Sequence, residues 1–107
     1  RFLSDAYASN GGQDTGPTPH EYLGAALAAC TSMTLKMYAG RKSMNLENAI
    51  VTVDIERAND IEIFKRDIQL QGNLTEEEKN RLIEIANKCP IHKALAGDIQ
   101  IKTQLVS

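Results

Sequence analysis

Thr18–Gly40 reads TPHEYLGAALAACTSMTLKMYAG, and the reading of this stretch decides the fold. Thr18 can cap a helix, Pro19 suits its first position, where no N–H donor is needed, and Glu21 completes a capping box. The helix is expected to run to about Ala39, with Gly40 as its stop. From Tyr22 to Leu35 no face of it carries a charge. A helix that is apolar all round has to be covered all round. A domain of 107 residues has difficulty enclosing such a helix alone, so a second subunit is expected over one face.

On the N-terminal side, Arg1–Tyr7 reads as the tail of a strand and Ala8–Gly16 as a loop rich in turn residues. On the C-terminal side, Ile50–Ile55 alternates as a half-buried strand with Val51, Val53 and Ile55 on one face. Asn59-Asp60 marks a turn, and Ile61–Leu74 follows as a second long strand, with Ile63, Ile68 and Leu70 among its apolar positions. The two are expected to form a hairpin. Thr75-Glu76-Glu77-Glu78 is another capping box, opening a helix from Glu76 to about Lys88. Leu82, Ile85, Ala86 and Cys89 form its apolar face. Pro90 interrupts it, Ile91–Leu95 reads as one further helical turn, and Ile99–Val106 (IQIKTQLV) as the last strand. The fold class is α+β, an antiparallel sheet packed on a buried, cysteine-bearing helix.

Bulk properties limit the function classes. Hydrophobic residues make up 42% and charged residues 24% of the chain, a globular composition in a length that suits one domain, residues 1–107. The first residue is Arg1, not Met, and N-terminal strand sequence is expected to be missing before it. Net charge is −2 with basic residues scattered, so no nucleic-acid partner is expected. The longest uncharged run, Tyr22–Leu35, falls short of a bilayer span, and Arg1–Gly16 has no apolar signal-peptide core. Two cysteines without a secretory signal fit a reducing, cytoplasmic setting.

These cysteines are either core residues or reactive thiols. Cys30 lies mid-helix among small residues, in Ala28-Ala29-Cys30-Thr31-Ser32, where another group could approach closely. Free cysteine is among the most buried residue types, and burial in apolar surroundings makes a thiol inert unless a cation stabilises its thiolate. A reactive Cys30 therefore needs a positive group from elsewhere in the fold. Cys89 sits on an inward face, so packing of the two helices could bring the thiols together. Glu21 is explained as the capping acid. Nine residues from Cys30, or roughly 13–14 Å along the axis, it cannot touch that thiol within one helix, although it could across a pair of helices in a dimer. A metal site from Cys30, Cys89, His20 and His92 lacks the ligand spacing of zinc sites, and neither a metal nor a cofactor is expected.

Gly16-Pro17-Thr18-Pro19-His20-Glu21-Tyr22-Leu23, followed by Ala29-Cys30-Thr31-Ser32-Met33-Thr34, resembles the OsmC/Ohr family of hydroperoxide-reducing proteins. Ala86-Asn87-Lys88-Cys89-Pro90-Ile91-His92-Lys93 is similar to that family's second-cysteine motif. The resemblance implies an intertwined homodimer in which Cys30 is the peroxidatic and Cys89 the resolving cysteine. It implies organic hydroperoxides as substrates and a dithiol, such as a lipoylated protein, as reductant. In the family's best-studied branches an arginine lowers the cysteine pKa, and a glutamate ten residues before that cysteine holds the arginine. Here that position is His20, with Glu21 one residue later, and Arg1-Phe2 resembles the arginine-bearing segment. Glu21 and Arg1 thus join Cys30 and Cys89 as candidate catalytic residues, in a pattern closer to a less-characterised OsmC-like subgroup. The competing expectation is a dimer of the same fold that binds a small apolar ligand, with both cysteines structural.

Overall fold

The computed structural model describes residues 17–106, so the expected strand tail at Arg1–Tyr7, the loop after it and the candidate Arg1 lie outside the described residues. Helix α1 spans Pro19–Arg41. Its capping box forms as expected: the Glu21 N–H donates to Thr18 Oγ1 at 3.2 Å, and the Thr18 N–H donates to Glu21 Oε1 at 3.1 Å. The helix runs past Gly40, which keeps helical geometry, because the left-handed turn falls instead at Ser43, with φ 55°. That turn returns the Met44 N–H to the Ala39 carbonyl at 2.9 Å and satisfies the helix end.

Strands β1 (Leu46–Ala58) and β2 (Ile61–Gly72) pair antiparallel. The two-residue turn between them places Asn59 and Asp60 at φ 52° and 62°, the left-handed pair that matches hairpin twist. The inward row on β1 is Ala49, Val51, Val53 and Ile55, as the alternation indicates. On β2 the inward row is Phe64, Arg66, Ile68 and Leu70. Ile63 has the opposite parity and is exposed, so the apolar positions of this strand divide between its two faces. A period of two cannot put residues 63 and 68 on one face of an unbroken strand. Gly72 closes β2 at φ 138°, where any Cβ would collide with the Asn45 carbonyl oxygen.

Helix α2 spans Glu76–Ala86, with Thr75 and Glu78 exchanging cap bonds of 3.0 and 3.1 Å. It stops short of Lys88 because Cys89 is the N-cap of a separate helix, α3, Pro90–Ala96. α1 packs against β1 and against both α2 and α3. The core joins Leu35 and Ala39 of α1, Ala49 of β1, and Leu82, Ile85 and Ala86 of α2.

Two expectations fare differently within this chain. α1 buries only the stripe Gly24, Leu27, Thr31, Leu35 and Ala39, while Leu23, Met33 and Met37 are 44%, 63% and 63% exposed. The other correction concerns the expected last strand, Ile99–Val106. It forms no strand among the described residues, and Ile99, Ile101, Leu105 and Val106 are all more than half exposed. Alternation specifies the two faces of a strand but supplies no edge for it to pair with.

Candidate functional site

The buried stripe of α1 meets the α2–α3 junction at Thr31, and the two cysteines come together there. Pro90 opens α3 at the position where its missing N–H costs nothing, which leaves Cys89 as the cap. The His92 N–H donates to Cys89 Sγ at 3.3 Å, and the Lys93 N–H to the Cys89 carbonyl at 3.1 Å. Cys89 is fully buried, whereas Cys30 is partly exposed. Both are free thiols, and Cys30, the neighbour of Thr31 along α1, is among the groups that act on the Cys89 thiol.

Burial by itself pushes the Cys89 thiol up. Cys30, the His92 N–H, the Thr31 hydroxyl and the Ile91 N–H favour the thiolate and outweigh it, and Cys89 stands below the ordinary thiol value of 9.0. Thr31 is also fully buried, and its single hydroxyl proton has two acceptors within reach. The Leu27 carbonyl lies at 2.7 Å and Cys89 Sγ at 3.9 Å, so with a neutral thiol the proton sits on the carbonyl.

A cation stands directly behind Thr31. Arg66 Nη1 donates to Thr31 Oγ1 at 3.1 Å and to the Ala86 carbonyl at 3.3 Å, and Nη2 donates to Asn87 Oδ1 at 3.0 Å. These bonds tie β2 to α1 and to the end of α2. Among the described residues Arg66 has no carboxylate partner within ion-pair distance. Its guanidinium lines a cavity of about 370 Å³ together with Leu27, Phe64, His92, Leu95 and Ala96. Burial and then the Arg66 charge hold His92 below 6.5, which keeps its imidazole neutral at pH 7.

Of the expected site residues, the fold joins Cys30 and Cys89, while Glu21 occupies the exposed first turn of α1 as its capping acid. His20 pairs with Glu62 of β2 at 3.2 Å. No group of three or more His, Cys, Asp and Glu side chains converges among the described residues. Sequence reasoning missed Arg66 and Thr31. The signal for Arg66 is a cation that alternation places in one row with Phe64, Ile68 and Leu70. Thr31 was treated only as a small neighbour of Cys30, and nothing local marks it as fully buried.

A family model described as OsmC-like protein matches residues 11–104. No curated protein matches the chain. Solved structures do. One is a candidate osmotic stress induced and detoxification response protein from Psychrobacter arcticus, 20% identical, covering 84% of this chain and 68% of that one with a TM-score of 0.73. An organic hydroperoxide resistance protein from Elizabethkingia anophelis is 25% identical over 92% of this chain and 75% of its own, with a TM-score of 0.64. The organic hydroperoxide resistance protein OhrB of Bacillus subtilis is 24% identical over 94% and 76%, with a TM-score of 0.58.

Proposed function

The chain belongs to the OsmC-like protein family, and on that premise we propose that it is a thiol peroxidase that reduces organic hydroperoxides with Cys30 and Cys89. The observation that carries this reading is the placing of two free thiols at one junction, Cys30 partly exposed on α1 and Cys89 fully buried beside Thr31, the neighbour of Cys30. The Cys30 thiolate attacks the distal peroxide oxygen, the O–O bond breaks, and the alcohol leaves with a proton. Cys30 is then a sulfenic acid. Cys89, at the same junction, attacks its sulfur, water leaves, and a disulfide forms. A dithiol restores both thiols by exchange and is itself oxidised to a disulfide. The apolar wall of Leu27, Phe64 and Leu95 beside the site favours an alkyl substituent on the peroxide.

The working unit in this reading is a homodimer. A second copy covers Leu23, Met33 and Met37 of α1 and offers an edge to Ile99–Val106, surfaces that are exposed and apolar in one chain. In this reading Glu21 and Arg1 act within that assembly. Among the described residues no helix is long and apolar enough to cross a membrane. The cycle fits the cytoplasm, where thiols are kept reduced.

Consumption of cumene hydroperoxide with dihydrolipoamide as reductant tests the reading. Turnover that disappears in Cys30→Ser and stalls after one event in Cys89→Ser is expected. A correctly folded dimer without turnover would overturn it and leave the ligand-binding reading, with both cysteines structural.

A further inference from the structure

The two sulfurs differ in access and in what surrounds them, and the difference has a direction. Cys89 is fully buried, while Cys30 is partly exposed on α1. Cys89 Sγ is met by the His92 N–H at 3.3 Å and the Thr31 hydroxyl at 3.9 Å, and Arg66 stands 3.1 Å behind that hydroxyl. In thiol–disulfide exchange the sulfur attacked is the accessible one, and the sulfur that leaves is the one better able to hold negative charge.

We infer that reduction of the Cys30–Cys89 disulfide runs one way only: the incoming dithiol attacks Cys30, and Cys89 leaves as the thiolate, with Thr31 and Arg66 as positioning residues. This rests on the thiol pair proposed above. A reductant thiolate bonds to Cys30 Sγ as the Cys30–Cys89 bond breaks, and its electron pair stays on Cys89. The reductant's second thiol, deprotonated, then attacks its own sulfur in the mixed disulfide, closing the reductant's disulfide and releasing the Cys30 thiolate. The two protons of the dithiol end on the two cysteines or in solvent, and two electrons pass to the protein.

Thr31 is suited to this step because its proton can turn. On the neutral thiol it points to the Leu27 carbonyl, and on the thiolate the negative sulfur draws it over. Donation from Arg66 Nη1 to the same oxygen polarises the hydroxyl and keeps a positive charge two hydrogen bonds from Cys89. The Ala86 carbonyl and Asn87 hold that guanidinium in place. A cation so placed favours the thiolate, and a thiol of lower pKa is the faster leaving group.

The test oxidises the full chain with diamide, opens the product briefly with 2-mercaptoethanol, traps free thiols by alkylation and locates the adduct by peptide mass spectrometry. The mixed disulfide is expected on Cys30 and the alkyl group on Cys89, and the reverse pattern overturns the inference while leaving the peroxidase reading intact. Failure of diamide to join the two cysteines overturns both. The positioning residues are read from the pH midpoint of Cys89 thiolate absorbance in a Cys30→Ser background. Arg66→Met and Thr31→Val should each raise that midpoint, and Arg66→Lys should restore part of it. An unchanged midpoint in folded Arg66→Met and Thr31→Val removes both residues from the role.

Discussion

Joining Cys30 to Cys89 should stabilise the fold by an amount the chain length sets. The bond would close a loop of about 60 residues. The loss of loop freedom in the unfolded chain then amounts to roughly 4 kcal/mol at 25 °C. Native-state strain is expected to subtract little, because Thr31, beside Cys30 on α1, already lies 3.9 Å from Cys89 Sγ and Cys89 is held by its cap bond to His92. For a domain of this size 4 kcal/mol corresponds to a rise in Tm of about 15–20 °C. The assay is thermal and urea unfolding of diamide-oxidised and reduced protein at one fixed protein concentration, since an oligomer's Tm depends on concentration. Cys30→Ser treated with diamide serves as the control and should not shift. An oxidised protein no more stable than the reduced one would refute the reasoning, because it would mean that the sulfurs meet only by distorting α1 or the α2–α3 junction.

Leu82 is fully buried in the core between α2 and α1, so Leu82→Ala should cost about 2–5 kcal/mol in urea unfolding. Gly72→Ala should destabilise by at least about 1–3 kcal/mol in the same assay, because the side chain meets the Asn45 carbonyl and the φ of 138° is unsuited to an L-residue. The folded His92 value lies below 6.5, so between that value and 6.5 the unfolded chain binds more protons than the folded one. Stability should therefore rise with pH across that interval, and His92→Gln should flatten this part of the profile in unfolding titrations.

Much of the architecture was legible because its signals are local. Thr18 with Glu21 and Thr75 with Glu78 each span three residues, and both boxes form where they were expected. Asn59-Asp60 is a turn on its own chemistry. The inward face of α2 followed from the spacing of Leu82, Ile85 and Ala86. The misplacements arose where a local rule left a choice open. Gly40 is a permissive residue inside a helix that had reason to continue, and Ile99–Val106 alternates as a strand does but forms none among the described residues.

By itself the sequence determined the cysteine-bearing helix, the hairpin, the second capped helix and the family, since capping, periodicity and motif spacing act over a few neighbouring residues. Only the tertiary structure decided that the helix carrying Cys30 meets Cys89 at Thr31, and that Arg66, on a strand, stands behind Thr31. Those meetings depend on how helices cross and which face of a hairpin they cover. Packing over the whole chain sets that geometry, and no window of neighbouring residues contains it.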